Sequence, residues 1–129
     1  MTFASIAVFG HAPALEREWR PKVLADAYDP QPLPLQRKAA ATIGMAMTEK
    51  QGGSDLRAVS TAATRADGGW RLEGHKWFCS APMSDAFFTL ARTGEGVTCF
   101  FVPRSLPGGE RNDLRIQRLK DKVGNRSNA

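Results

Sequence analysis

The chain has 129 residues, 42% of them hydrophobic and 24% charged, and a formal net charge of +5. That length is room for one domain with an ordinary core, and the composition excludes collagen, a coiled coil and wholesale disorder. No apolar run approaches the roughly 20 residues that a membrane helix needs, and the apolar start from Phe3 to Gly10 lacks the basic lead-in and small-residue cleavage site of a signal peptide.

The charge is uneven. Residues 1–40 carry five basic and four acidic groups, and residues 41–103 carry six of each. Residues 104–129 carry seven basic groups against three acidic ones, so the excess belongs to the tail. A basic tail suits phosphates of a nucleic acid or a cofactor. It equally suits a solvated face, or a surface covered by another part of a larger protein. Cys79 and Cys99 both lie in apolar stretches and are expected as reduced, buried thiols. One pair builds no disulfide framework.

Two unlike parts follow in chain order. Residues 1–40 read as helical or irregular. Leu15, Trp19, Val23 and Ala27 recur every four residues on one helical face, but Pro21 interrupts them. An interior proline costs about 3 kcal/mol, which predicts two short pieces or a break. Pro30, Pro32 and Pro34 then force an extended loop. This stretch reads as the end of a helical N-terminal domain plus a proline-rich linker.

Residues 41–129 read as a β domain, incomplete at its C-terminal end. Ile43 to Met47 is a short apolar strand, and Val59 to Ala66 is a second. Asp67-Gly68-Gly69 makes a hairpin turn into Trp70–Glu73, where apolar and charged side chains alternate. Lys76 to Ser80 resumes a strand. Phe87 to Ala91, a turn at Thr93–Gly96, and Val97 to Val102 form a second hairpin that Pro103 stops. Leu114–Gln117 alternates once more. Short strands separated by turn signals predict a mainly β fold, an antiparallel barrel or sandwich preceded by a short helical or irregular segment. No closing strand follows, so one sheet edge would need another chain, or more of this one, to cover it.

Most catalytic constellations are missing. There is no Gly-x-Ser-x-Gly elbow, and Gly52-Gly53-Ser54 is not followed by the Lys-Ser/Thr of a phosphate loop. The two histidines, His11 and His75, and the widely spaced cysteines do not make a zinc site. His75 reads as a surface or hydrogen-bonded histidine, and Trp70 and Trp77 read as core. The stretch Ala46–Asp55 is more informative. Thr48 follows an apolar strand, a polar loop leads to Gly52 and Gly53, and Ser54 and Asp55 close it. Glycines let a ligand approach the backbone closely, with amides free to donate. Ser54 adds a hydroxyl, and Asp55 caps the loop by accepting backbone N–H bonds. Such a loop suits a pyrophosphate, and it also occurs as a plain turn.

The run Ala46 to Ala58 resembles the acyl-CoA dehydrogenase signature: small, apolar, Ser/Thr, Glu, two variable positions, small, Gly, Ser/Thr, Asp, two variable, small. Gly74-His75-Lys76-Trp77-Phe78-Cys79-Ser80 is similar to that family's second hallmark, Gly-x-Lys-x-Trp-Ile-Thr/Ser. Lys122-Val123-Gly124-Asn125-Arg126-Ser127 resembles a third. The resemblance covers about residues 29–129, and the detailed wording of these motifs looks like the alkylation-response, AidB-like branch. There Met1–Ala4 looks like the interior of a helical domain, so Met1 reads as an internal methionine.

What the resemblance implies is specific. The family places a middle β domain between two helical domains and binds FAD. Met47 and Thr48 would contact the pyrimidine end of the flavin, Ser54 the phosphate region, Phe78 the ring face, and Ser80 the region of the reactive nitrogen. Met45, Gly53 and Cys79 complete the implied cofactor-binding set. Phe78 stands where the family has Trp, which keeps an apolar wall of smaller area. The family reaction removes an α-proton from a fatty acyl-CoA with a carboxylate and passes the β-hydride to the flavin. The catalytic glutamate lies in the C-terminal helical domain, so no catalytic residue and no metal is expected in this chain. Glu49 belongs to the binding signature and is not the base. By the same resemblance the full-length protein would be a cytoplasmic homo-oligomer taking acyl-CoA or a related substrate. The alternative is a DNA-associated alkylation-response flavoprotein with little dehydrogenase activity, binding DNA through regions outside this chain.

Overall fold

The computed structural model describes residues 1–129. The secondary elements are α1 (Ser5–Phe9), α2 (Pro13–Val23), β1 (Ile43–Ala46), β2 (Ala62–Ala66), β3 (Gly69–Glu73), β4 (Ala86–Thr93) and β5 (Gly96–Pro103). The chain is mainly β. The strands form one five-stranded sheet in the order β1-β4-β2-β3, with β5 also paired to β4. This sheet is not closed into a barrel. Nor is it wholly antiparallel, because Ala62 of β2 lies parallel to Arg92 of β4.

The residues group into two compact units. The first comprises Met1–Gly44, Met83–Phe87 and Pro103–Arg115. Here α2 opens with Pro13 at its first position, where the missing N–H costs nothing. Trp19 and Val23, one turn apart, are its buried residues. The expected break at Pro21 does not occur: Pro21 lies inside a single helix. Lacking an N–H, Pro21 cannot bond the Arg17 carbonyl, yet the ladder resumes beyond it, the Leu24 amide donating to Arg20 O at 3.0 Å. The helix ends at Val23, leaving Ala27 beyond it and exposed.

The polar centre of this unit is Lys38, only 3% exposed. Its Nζ lies 3.0 Å from Asp85 Oδ1 and 3.7 Å from Asp29 Oδ1. It also donates to the carbonyls of Asp29 at 2.8 Å and Gln31 at 2.6 Å. Asp85 accepts from the Thr42 amide at 2.8 Å, and Asp29 accepts from the Ala39 amide at 2.8 Å. The extended proline stretch is thus tied down by a buried lysine.

The second unit comprises Met45–Pro82, Phe88–Val102 and Ile116–Ala129. The β2–β3 hairpin pairs Ala66 with Gly69 across Asp67-Gly68, and Gly68 has φ +79°. Only glycine takes that conformation without strain. Arg65 pairs with Trp70 across the hairpin, and its guanidinium lies 4.1 Å from the indole centre. Trp70 in turn meets Phe100 edge to face at 5.4 Å. Leu72 and Val102 pack on a core of Ala63, Ala91 and Phe100.

Three sequence expectations are corrected. Lys76 to Ser80 is not a strand but contributes a single bridge, Ser80 to Met45. Leu114–Gln117 has no strand partner and is irregular. Cys99 is exposed on β5, whereas Cys79 is buried, and neither is in a disulfide. Alternation alone marks a strand face but not the neighbour that completes a ladder.

At Gly74 an added Cβ would lie 2.2 Å from Thr61 Oγ1 and 2.7 Å from Thr61 Cα. Backbone cannot yield as a flexible side chain can. Gly74→Ala is therefore expected to destabilise the chain by roughly 1–3 kcal/mol, the usual cost of overpacking. Urea unfolding of the variant beside the parent measures this, and equal midpoints would show that the two segments separate freely.

Candidate functional site

The sequence-implied residues all lie in the second unit. The site is built from two segments side by side. The Met45 amide donates to Ser80 O at 3.2 Å, and the Ser80 amide returns a bond to Met45 O at 2.8 Å. Farther along, the Trp77 amide donates to Thr48 O at 2.7 Å. Both contacts keep one antiparallel register, which sets Met47 beside Phe78 and Ala46 beside Cys79. Side chains alternate along extended backbone. Met45, Met47, Phe78 and Ser80 therefore share one face, while Ala46 and Cys79 share the other, and Thr48 and Trp77 stand at the end of the pairing where the chain turns. Burial agrees: Ala46 and Cys79 are buried, whereas Met45 is 41% and Phe78 42% exposed. The result is an open shelf of apolar side chains.

Beyond Thr48 the chain turns. The Glu49 amide donates to Gly52 O at 2.7 Å, and the Gly52 amide donates to Glu49 O at 3.2 Å. Gly53 and Ser54 follow, both exposed. Their amides donate to no other group of the chain, and the hydroxyls of Thr48, Ser54 and Ser80 are equally unengaged. Asp55 caps the next turn by accepting from Arg57 N at 3.0 Å, as its position suggested. A Cβ at Gly53 would sit 3.2 Å from Thr48 Cγ2, so the glycine keeps the turn close to Thr48.

The most densely bonded group lies under this turn. Glu49 is 2% exposed. Its Oε1 accepts from Lys76 Nζ at 2.6 Å, from the Thr61 amide at 3.1 Å and from the Thr61 hydroxyl. Its Oε2 accepts from Ser60 N at 2.7 Å, Ser60 Oγ at 2.8 Å and Gln51 Nε2 at 2.6 Å. Lys76 also donates to Leu90 O at 2.6 Å. Burial alone would raise the Glu49 pKa, but the bonds from Lys76, Thr61 and Ser60 outweigh it and hold the carboxyl ionised well below the usual range. The carboxylate is thus fully engaged within the chain.

The tail meets the shelf from its other end. Lys120 donates to Trp77 O and lies 4.5 Å from the Phe78 ring centre and 5.0 Å from that of Trp77. Desolvation lowers its pKa, with the positive charges of Lys122 and Arg118 adding to the effect. Cys79 and Ala129 exchange two backbone bonds, at 2.8 and 3.1 Å, and the Ala81 amide donates to Asn128 Oδ1 at 3.0 Å. Part of the basic tail is thus spent on internal carbonyls. Sequence reasoning missed Lys120, Ser60, Thr61 and the Glu49–Lys76 pair. Only the fixed placement of Glu49 after Thr48 and of Lys76 before Trp77 carried a signal.

The arrangement offers an open apolar shelf, hydroxyls at its margins, and a glycine-serine turn with free amides. A flat heteroaromatic ring with a phosphate-bearing chain matches that donor set.

Comparison with known proteins gives the family. A family model described as acyl-CoA dehydrogenase, middle domain, matches residues 44–129. The chain is 53% identical over 131 aligned positions to the putative acyl-CoA dehydrogenase AidB of Escherichia coli (strain K12), covering 100% of this chain and 24% of that protein. It is 34% identical over 106 positions to the benzylmalonyl-CoA dehydrogenase of Aromatoleum aromaticum, covering 80% of this chain and 24% of that one. Among solved structures, Bd2924 in its apo form superposes with a TM-score of 0.74 at 33% identity, over 96% of this chain and 26% of that one. Caenorhabditis elegans ACDH-11 in complex with C11-CoA gives 0.71 at 29% identity, over 98% and 22%. The chain thus spans about a quarter of the length of the curated relatives it matches first. With the family model matching well over half of its residues, the chain belongs to the acyl-CoA dehydrogenase middle-domain family.

Proposed function

We propose that this chain is the flavin-holding middle domain of an FAD-dependent acyl-CoA dehydrogenase-type oxidoreductase. Residues 41–129 form that domain, and residues 1–40 are the end of a helical domain with its linker. The observation that carries the reading is the shelf of Met45, Met47, Phe78 and Ser80, bordered by hydroxyls and amides with no partner in the chain. The dehydrogenase names of its relatives, and the C11-CoA held by ACDH-11, support an acyl thioester as the substrate of the whole protein.

When bound, FAD supplies the acceptor for a hydride taken from the acyl chain. The residues of the chain bind and orient. Phe78 and the two methionines cover an apolar ring face and keep water from it. The hydroxyls of Thr48 and Ser80 donate to polar atoms at the ring edge. The amides of Gly53 and Ser54, with the Ser54 hydroxyl, donate to phosphate oxygens. Cys79 lies on the opposite face, with its backbone joined to Ala129, so it supports the shelf from behind.

Titration with FAD tests this. A protein-bound flavin spectrum is expected, and Thr48→Ala combined with Ser54→Ala should weaken binding by roughly tenfold or more, the loss of two ligand hydrogen bonds. A folded full-length protein without any flavin band would overturn the assignment.

A further inference from the structure

One carboxylate joins three chain segments in the second unit. Glu49 holds Gln51 in its own turn, the amides of Ser60 and Thr61, and Lys76 immediately before the shelf segment. The turn that carries Gly53 and Ser54 starts at Glu49, whose amide and carbonyl both bond Gly52. The shelf residues Phe78 and Ser80 start two positions after Lys76. Close packing at Gly74 brings the Lys76 segment against Thr61, itself a Glu49 partner. The glycine-serine turn and the shelf are therefore fixed to each other through one buried side chain.

We propose that Glu49 is a positioning residue for a dinucleotide-type ligand: it sets the distance between the phosphate-facing turn and the ring-facing shelf. The inference rests on the flavin reading above. Its physical content is linkage. A ligand with two ends gains affinity from both only when the two subsites keep the spacing that its own chain can span. Loosening the latch leaves each subsite intact and removes their cooperation.

The test uses the full-length protein, with FAD as the two-ended probe and riboflavin and ADP as the one-ended probes. The variants are Glu49→Gln, and Glu49→Gln with Lys76→Met. The double variant removes both charges and so leaves no unpaired buried ion, which protects folding. FAD affinity is expected to fall by roughly tenfold or more in the folded double variant, while riboflavin and ADP change by less than about threefold. A merely structural role would lower all three alike, in step with the melting temperature, and that outcome overturns the proposal. So does unchanged FAD affinity in a folded variant. A parent protein that binds none of the three probes instead overturns the flavin reading on which the proposal rests.

Discussion

Lys38→Met is expected to cost about 3–5 kcal/mol of stability, the usual result of removing one partner from a buried ion pair. Lys38 is almost wholly buried, and methionine keeps most of its stem. What disappears is the ammonium that lies 3.0 Å from Asp85 Oδ1 and donates to the carbonyls of Asp29 and Gln31. Asp85 would be left with the Thr42 amide and hydroxyl, a carboxylate short of its counter-charge. Urea unfolding followed by tryptophan fluorescence reads the loss. Adding Asp85→Asn to Lys38→Met should recover part of it, because the stranded charge goes too. A loss below about 1 kcal/mol would place the lysine among solvated surface pairs. The proline stretch from Pro30 to Pro34 should also become a site of proteolytic cleavage, since its carbonyl anchor is gone.

Glu49→Leu is expected to cost a similar 3–5 kcal/mol, because it strands the Lys76 ammonium and unpairs the amides of Ser60 and Thr61. The group also predicts a pH dependence. Its folded pKa is depressed below the ordinary value of 4.5, despite the opposing effect of burial. The unfolded chain therefore binds the proton first. The stability that Glu49 contributes is complete above about pH 4.5 and is lost as the pH falls toward its folded value. Urea midpoints at neutral pH and near pH 3 should differ less in Glu49→Gln than in the parent. An equal acid slope in both would assign the sensitivity to other carboxylates.

Local pattern makes several elements readable. Asp67-Gly68 announces the β2–β3 hairpin because a two-residue turn needs a residue at ease with positive φ. The apolar runs flanking Thr93–Gly96 announce β4 and β5. The family resemblance is what singles out Thr48, Ser54, Phe78 and Ser80 as candidates, and all four lie in the second unit. What escapes is set by distant partners. The parallel contact of Ala62 with Arg92 spans two turns and leaves no periodic trace. Nothing local marks Lys38 for burial, because its partner Asp85 lies far along the chain. Pro21 misleads because the helix gives up one bond there and still runs on to Val23. Cys99 misleads because a strand of apolar residues, Val97 to Val102, need not be covered on both faces.

The shelf also has a history within each folding event. The bonds joining Met45 and Thr48 to Ser80 and Trp77 close long loops, as does that of Thr89 to Ala46. Loop closure of that kind is slow, whereas the β2–β3 and β4–β5 hairpins need only local chain. Contact order therefore predicts that the hairpins pair before the shelf closes. On that order strand content would precede any surface on which a ligand could rest, and capture of a ligand would report completion of the fold, not its onset.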